Sequence, residues 1–497
     1  MKRKKGERFP GPNGLPLVGN FLDFKGKNKV EVIQKYRQKY GDIFELRFLH
    51  KSIIVLSGYS TLKDALVKNR HVFSDRPFVE IKRLFLGSIG IVTNSGPDYR
   101  ELKYFTMCAL KDFGLGKTGG AGLEGRIQDE CACLVAEIEK KNGQPFNIST
   151  LLHKTVANTI GLLLFSHRYQ YDDERFTSVV HSIINLFKNT SLFSVLSFVP
   201  ILRTIIPKSM SSVKQIEDGA NKIAQFLRDE IETHAKTFDE TELRDFTDAF
   251  LKEMKLHKDE PKSVFTADQL LTIQRDFLMG GTETTASTIL WGVILLTRNP
   301  KVCSIVRQEL HDNIEEDGIP SYYQLKELPF TEATLCEIQR LADVGPLGVI
   351  HATSSDTNFH GYDIPKGTAI LTNLHSVMHD EALWGDPLVF RPDRFLDESG
   401  RICRAKTDKV IAFSVGQRAC PGESLARLEV FGIITGLVRK FTFLPPDGES
   451  PPSLDANYGV SRTPASFRIR FVPRTSKQQQ TLLYGRDSMS SEDVKCI

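Results

Sequence analysis

A cysteine set between turn-forming residues, just before a predicted helix, is the residue in this sequence best placed for chemistry. Cys420 lies in the segment FSVGQRACPGE, residues 413–423. The N–H groups at the start of the following helix point back at the sulfur, which favours thiolate over thiol. Gly416 and Gly422 let the backbone bend and approach a flat ligand closely, and Arg418 can pair with a carboxylate. A buried structural cysteine is the common alternative, but the surrounding pattern favours a functional thiolate.

Polar residues also interrupt a long predicted helix, which runs from about Thr266 to Thr297 between a Thr/Asp cap and an Asn-Pro stop. Its middle reads GGTETT, residues 280–285. Two adjacent glycines cost about 1 kcal/mol each in a helix relative to alanine, so they indicate close approach of something to the backbone. Thr284 can hold water or dioxygen, and Glu283 can relay protons. Taken alone, the segment is equally consistent with a tight helix–helix crossing.

Two less specific patterns lie between these motifs. Glu337 and Arg340 stand one helical turn apart, a spacing that is common on helix surfaces and stabilises little. The segment WGDPLVFRPDRF, residues 384–395, is rich in aromatic residues and proline. Such a composition predicts a loop that packs against the body of the protein.

The elements that must position these residues are mostly helices, because apolar residues recur with helical period over most of the chain to about residue 340. Alternating and β-rich patterns predict short strands at Ile43–Phe48 and Ser52–Val55. Extended, turn-rich sequence covers 345–395, and a further helix is predicted at Glu423–Lys440 before a short β ending. The predicted fold class is therefore mainly α with small β-sheets.

Composition excludes several classes of protein. The chain has 497 residues, of which 40% are hydrophobic and 25% charged, as expected for a globular protein. Its net charge of +4 is too small to indicate nucleic-acid binding. The eight cysteines show no zinc-binding spacing, which favours a reduced, cytosol-facing protein. The segment GLGKT at 114–118 resembles a phosphate-binding loop, but Lys111 occupies the place of its leading glycine, so no nucleotide site is predicted.

The amino terminus reads MKRKK and predicts neither a signal peptide nor a membrane anchor. The longest apolar run, Ser191 to Leu202, is shorter than the roughly 18 residues that span a bilayer. It is predicted either to lie on a membrane surface or to form a buried helix.

The four motifs, in this order, resemble those of the cytochrome P450 family. The segment at 413–423 fits FxxGxRxCxG, residues 280–285 are similar to (A/G)Gx(D/E)TT, Glu337 and Arg340 fit ExxR, and 392–395 is similar to the PERF motif with Asp393 in place of glutamate. Residues 9–20, 74–77 and 346–357 resemble the animal microsomal group that oxidises drugs and steroids.

The resemblance implies one large helical domain with a small β lobe, here residues 9–472, after a basic segment at 1–8 and before a polar tail, 473–497, that is predicted to be disordered. It implies a haem-thiolate monooxygenase of the EC 1.14 class with haem as cofactor and Cys420 as the iron ligand. Thr284 and Glu283 would steer protons. Glu337, Arg340 and Arg394 would form a buried ionic network. The remaining expected haem contacts are Arg76, Tyr99, Lys103, His351, Phe413, Gly416, Arg418 and Gly422.

One departure from the family pattern affects haem binding. The helix after Gly96 normally carries W-x-x-x-R, whose side chains hold the propionates, whereas this chain has Tyr99 and Lys103. Lysine lacks the bidentate fork of arginine. The substitutions therefore predict looser haem retention with the chemistry preserved.

The resemblance also implies partners. Electrons would come from NADPH through a separate cytochrome P450 reductase, with cytochrome b5 as a further donor, because the chain has no dinucleotide fingerprint. Candidate basic contacts for such a donor are Arg100, Lys103, Lys111 and Arg427. The expected location is the cytosolic face of the endoplasmic reticulum membrane, in contact with the membrane surface.

The substrate is expected to be a small lipophilic molecule, because the segments that line the family's pocket are apolar here. Phe85, Gly280 and Val349 are the predicted contacts. Two alternatives are an enzyme that rearranges peroxides without O2 or reductase, and a degenerate homologue that only binds haem or a ligand. The presence of Glu283 and Thr284 argues against the first, whereas Tyr99 and Lys103 leave the second open.

Overall fold

The structure is a computed structural model that describes residues 9–16, 18–48, 51–77, 90–113, 122–188, 211–314 and 319–474. Several sequence-based predictions fall outside these ranges: the substrate contact Phe85, the GLGKT segment, the apolar run at 191–202, the basic segment 1–8 and the tail from 475 onward.

Helices dominate the described residues. The long helices are α1 Lys29–Tyr40, α2 Gly96–Asp112, α3 Leu123–Glu139, α4 Ser149–Phe165, α5 Glu174–Lys188, α6 Ser211–Lys236, α7 Phe246–Leu256, α8 Ala267–Arg298, α9 Pro300–Asn313, α10 Pro329–Ala342 and α11 Glu423–Lys440. Short helical turns occupy Phe21–Phe24, Tyr59–Lys63, Asp64–Lys68, Tyr322–Glu327, His375–Met378, Glu381–Trp384, Pro392–Phe395, Arg404–Thr407 and Gly416–Arg418.

Local sequence sets where the key helices begin. The Thr266 hydroxyl accepts a hydrogen bond from the Gln269 N–H at 3.2 Å and starts α8. Prolines stand in the first turn of α2, α9 and α10, where a missing N–H costs nothing. The helices predicted around the glycine pair and after Cys420 are confirmed as α8 and α11.

The strands form small separate sheets. They are β1 Ile43–Phe48, β2 Lys51–Ser57, β3 His351–Ala352, β4 Thr357–Phe359, β5 Tyr362–Ile364, β6 Ala369–Asn373, β7 Phe441–Leu444, β8 Ala456–Tyr458, β9 Arg462–Pro464 and β10 Arg470–Pro473. The largest sheet has the order β1-β2-β6-β3. The Ala352 N–H donates to the Asp75 carbonyl at 2.7 Å, so this sheet holds His351 beside the Arg76 segment. The prediction of a mainly α fold with small sheets is confirmed.

Helix α8 runs through the core and packs closely on its neighbours. A Cβ atom added at Gly292 would lie 2.8 Å from Ile434 Cδ1 of α11 and 3.3 Å from Ile338 Cδ1 of α10. Within the described ranges, no single helix is long and apolar enough to cross a bilayer. Helices α8 and α9 satisfy that test only as a pair, and they meet at a 107° bend.

Candidate active site

Cys420 is presented by a tight loop at the start of α11. Its N–H donates to the Phe413 carbonyl at 2.9 Å. Gly416 has φ +82°, and a Cβ atom there would lie 1.9 Å from the Leu66 carbonyl oxygen. No residue with a side chain fits this position, so Gly416 fixes the course of the chain towards the cysteine.

The surroundings of the Cys420 sulfur act on its pKa in opposite directions. The residue is exposed on one side, but the protein around the sulfur desolvates it, and this raises the pKa of the thiol. The N–H of Gly422 hydrogen-bonds the sulfur and lowers the pKa, as does the charge of Lys103. The start of the helix therefore lowers the pKa of the thiol, as the sequence predicts, but desolvation raises it by more, so the pKa is raised overall. A bound metal ion deprotonates a coordinating thiol outright, so the sulfur remains suited to ligate one.

The two glycines of α8 face different surroundings. A Cβ atom at Gly281 would lie 2.7 Å from Ile160 Cδ1 of α4, whereas one at Gly280 would meet nothing within 4 Å. Gly281 thus allows α8 and α4 to cross closely. The space beside Gly280 is open, and we call it the groove. Thr284 borders this groove and donates from its hydroxyl to the Gly280 carbonyl at 2.6 Å. Glu283 turns the other way, into the interface with α4, where its Oε2 lies 3.0 Å from His153 Nε2.

Arg76 and Arg418 form a cationic cluster, with His351 beside them, between the β lobe and the cysteine loop. The described hydrogen bonds of both guanidinium groups go to backbone carbonyls, including Val349 and Ile350 for Arg76, and no ion pair joins either group to a described carboxylate. Burial, followed by the charge of Arg418, lowers the pKa of Arg76 to about 9. Burial and the charge of Arg76 lower the pKa of His351 to about 3. An anionic group placed here would relieve these repulsions, and haem carboxylates fit that requirement.

Tyr99 and Lys103 lie next to this cluster but contact the cysteine loop. The Lys103 Nζ donates to the Gln417 carbonyl at 2.6 Å, and the Tyr99 hydroxyl donates to the same oxygen at 3.3 Å. The Arg418 guanidinium stacks 3.3 Å from the centre of the Tyr99 ring. In this chain the two residues that replace the family's tryptophan and arginine therefore brace the loop before Cys420.

The predicted ionic network around Glu337 is assembled in the interior. Glu337 Oε2 lies 2.7 Å from Arg340 Nε, and Oε1 lies 3.0 Å from Arg394 Nε. Glu337 and Arg340 are fully buried, and Arg394 also pairs with Asp386 at 2.8 Å. The network joins α10 to the turn at Pro392–Phe395, so the aromatic loop is packed against the body as predicted.

Apolar side chains are exposed beside Arg76. Val349 is 48% exposed and Val92 is 36% exposed, and their carbonyls both accept hydrogen bonds from Arg76. Val460, 56% exposed, is tied to α5 by its N–H, which donates to the Phe187 carbonyl at 3.2 Å. Of these three residues, Val349 is one of the substrate contacts predicted from the sequence.

The four basic residues that the sequence suggests as contacts for an electron-donating partner differ in their exposure and in their ion pairs and hydrogen bonds. Arg100 and Lys111 are exposed on α2. Lys103 is committed to the Gln417 carbonyl, and Arg427 is paired with Glu423 at 2.9 Å.

Sequence reasoning missed His153 and Gln417. His153 is a lone histidine in an apolar helix, 130 residues from its partner Glu283, so no local pattern marks it. Gln417 acts through its backbone carbonyl, which leaves no signal in side-chain identity.

Comparison with known proteins gives consistent results. A family model described as Cytochrome P450 matches residues 9–471. Cytochrome P450 2D6 of Homo sapiens is 36% identical over 474 residues, covering 94% of this chain and 93% of that protein. Cytochrome P450 2D4 of Rattus norvegicus is 36% identical over 473 residues, with the same coverage. Cytochrome P450 2C20 of Macaca fascicularis is 33% identical over 467 residues, covering 93% and 94%.

Proposed function

Because the chain belongs to the cytochrome P450 family and is a haem-thiolate monooxygenase, we propose that it inserts one oxygen atom of O2 into a small lipophilic substrate, by hydroxylation or epoxidation. Two electrons would come from NADPH through a separate reductase. The observation that carries this proposal is the exposed residue Cys420 beside a cationic cluster that forms no ion pair with a described carboxylate.

Residues of this chain would hold the haem at two places. Cys420 would ligate the iron, and Arg76, His351 and Arg418 would hold the propionates. Tyr99 and Lys103 would fix the cysteine loop through the Gln417 carbonyl. When bound, the haem supplies the iron that activates O2.

Thr284 would control protons on the groove side of α8. Its hydroxyl hydrogen is committed to the Gly280 carbonyl, so the hydroxyl oxygen is free to accept a hydrogen bond from water or a protonated group. Glu283 would supply protons to this region, although its carboxyl group lies at His153 in this structure.

Exposed apolar side chains support a lipophilic substrate. Exposed Val92, Val349 and Val460 provide surface that favours burial of apolar ligand area. Gly280 leaves room next to Thr284 for the carbon to be oxidised.

The redox partner would be NADPH-cytochrome P450 reductase, with cytochrome b5 as a second donor, docked over the cysteine loop. Arg100 and Lys111 are exposed charges that could steer an acidic partner there. The protein would act on the cytosolic face of the endoplasmic reticulum membrane.

The test is the carbon monoxide difference spectrum of the reduced protein, with Cys420→Ser beside it. We expect a strongly red-shifted Soret band in the wild type that is lost in the variant, because only a thiolate ligand produces that shift. Binding of haem without the shift in the wild type would contradict the assignment of Cys420. NADPH- and reductase-dependent consumption of O2, coupled to product, tests the electron source separately.

A further inference from the structure

His153 and Glu283 form a buried pair on the face of α8 that packs against α4. Their side chains are 3% and 1% exposed, and His153 Nε2 lies 3.0 Å from Glu283 Oε2. The Ser287 hydroxyl donates to Glu283 Oε1 at 3.4 Å. The pair therefore links α4 to α8 within the core.

The hydrogen bonds fix how many protons this pair holds. His153 Nδ1 lies 2.7 Å from the Ser149 carbonyl, and a carbonyl oxygen only accepts, so Nδ1 carries a hydrogen. A neutral ring with Nδ1–H has a lone pair on Nε2. That lone pair would then face a carboxylate oxygen, and the contact is favourable only with one more proton. The proton lies either on Nε2, as imidazolium, or on Glu283, as a carboxylic acid.

Glu283 occupies the position in α8 next to Thr284, but its side chain points about 100° away around the helix, towards α4. Its partner His153 lies seven residues, or about two helical turns, before Ile160, the α4 residue closest to Gly281. A proton held here is sheltered from bulk water, because both side chains are at most 3% exposed, and the pair that holds it includes the residue next in sequence to Thr284.

We propose that His153 is a positioning residue that stores one exchangeable proton with Glu283 behind α8, as the reserve for proton delivery towards Thr284. The proposal rests on the proposed function. In the delivery step, Glu283 carries the proton to the groove as a neutral acid and leaves His153 neutral. Solvent then restores the proton to the pair.

Among the described residues, the charged or titratable groups near the pair lie on α4, α5 and α11. His181 on α5 and Lys154 on α4 lie near it, and both line an open polar pocket of about 490 Å³. Burial, followed by the charges of Lys154 and His153, lowers the pKa of His181. Glu429 on α11 lies near Thr159 of α4. Thr159 is six residues after His153 in that helix.

The stored proton is tested on the reduced, carbon monoxide-bound holoenzyme, which is diamagnetic, with 15N-labelled histidine. His153→Gln identifies the resonances. Between about pH 6 and 8, we expect either two protonated ring nitrogens on His153 or an infrared carboxylic-acid band that Glu283→Gln removes. A ring with an unprotonated Nε2, together with no such band, would overturn the proposal.

The role of the stored proton is tested by coupling, measured as product formed per NADPH consumed. We expect His153→Gln to lower coupling roughly tenfold, the effect of losing one hydrogen bond to a charged group, and to flatten its dependence on pH, with KM unchanged. His181→Gln, the same substitution in the adjacent pocket, should leave both unchanged. Unaltered coupling and pH profile in His153→Gln would refute the role. If the wild type forms no product with a reductase, the proposed function fails, while the spectra still decide whether the proton is stored.

Discussion

Replacement of Glu337 by glutamine should destabilise the fold more than any surface substitution on the same helix. The Glu337 carboxylate receives hydrogen bonds from Arg340 at 2.7 and 2.8 Å, from Arg394 at 3.0 Å and from the Arg391 N–H at 3.0 Å. Glutamine has nearly the same volume but no charge. Two buried guanidinium groups would then lose the carboxylate that they share.

The size of the effect follows from burial. Breaking a buried ion pair from one side costs about 3–5 kcal/mol. The lower end is expected here, about 3 kcal/mol, because Arg340 keeps the Met378 and Pro387 carbonyls and Arg394 keeps Asp386. Since whole domains are stable by about 5–15 kcal/mol, such a loss should also lower the yield of folded holoprotein.

Glu332→Gln is the matched control, because Glu332 lies on the same helix and pairs with Arg404, which is 67% exposed. Glu332 itself is 14% exposed, but because its partner is in solvent the pair should contribute only about 1 kcal/mol. Urea unfolding of both variants, followed by circular dichroism, measures the difference. Equal unfolding midpoints for the two variants would refute the argument that the shared, buried carboxylate holds α10 to the loop.

Three further variants test other parts of the molecule. Thr284→Ala should raise peroxide release relative to product roughly tenfold or more, and an unchanged ratio would rule out the proton role of Thr284. Lys103→Arg should slow haem transfer to apomyoglobin roughly tenfold, since a guanidinium group can contact both the Gln417 carbonyl and a propionate; equal rates would show that Lys103 does not limit haem retention. Burial raises the pKa of Glu429 well above its usual value, and neither of its carboxyl oxygens has a hydrogen-bond partner among the described residues. The protein is therefore most stable with respect to this group below the unfolded-state pKa of about 4.5, and it loses stability as pH rises towards the higher folded-state pKa. Glu429→Gln should therefore stabilise the protein by about 1–3 kcal/mol at pH 8, less at pH 5, as measured by thermal unfolding; a difference independent of pH would contradict this.

Local patterns were sufficient for the elements that carry the site. The Thr266 cap and the Asn-Pro stop predicted α8 within a residue at each end, and the sequence after Cys420 predicted α11. Strand β2 proved longer than predicted, Lys51–Ser57 instead of Ser52–Val55, because its pairing with β1 and β6 extends beyond the apolar run. Such pairing involves residues more than 300 positions away.

Side-chain direction was not predictable in the same way. The GGTETT segment left a helix crossing and a ligand groove as alternatives, and the structure assigns one to each glycine, Gly281 to the crossing and Gly280 to the groove. Glu283 and Thr284 are neighbours in sequence and were expected to act together, but consecutive helix residues point about 100° apart. The Glu283 carboxyl group therefore reaches His153 rather than the groove.

The sequence by itself determined the helical fold class, the cysteine loop and the family, because capping, glycine placement and motif order are local properties. Only the tertiary structure decided the partners of the charged groups: Glu337 with Arg394, Lys103 with the Gln417 carbonyl, and Glu283 with His153. Hydrogen bonds depend on distances of about 3 Å. Such distances between residues far apart in the chain are set by how the helices pack, which no local pattern specifies.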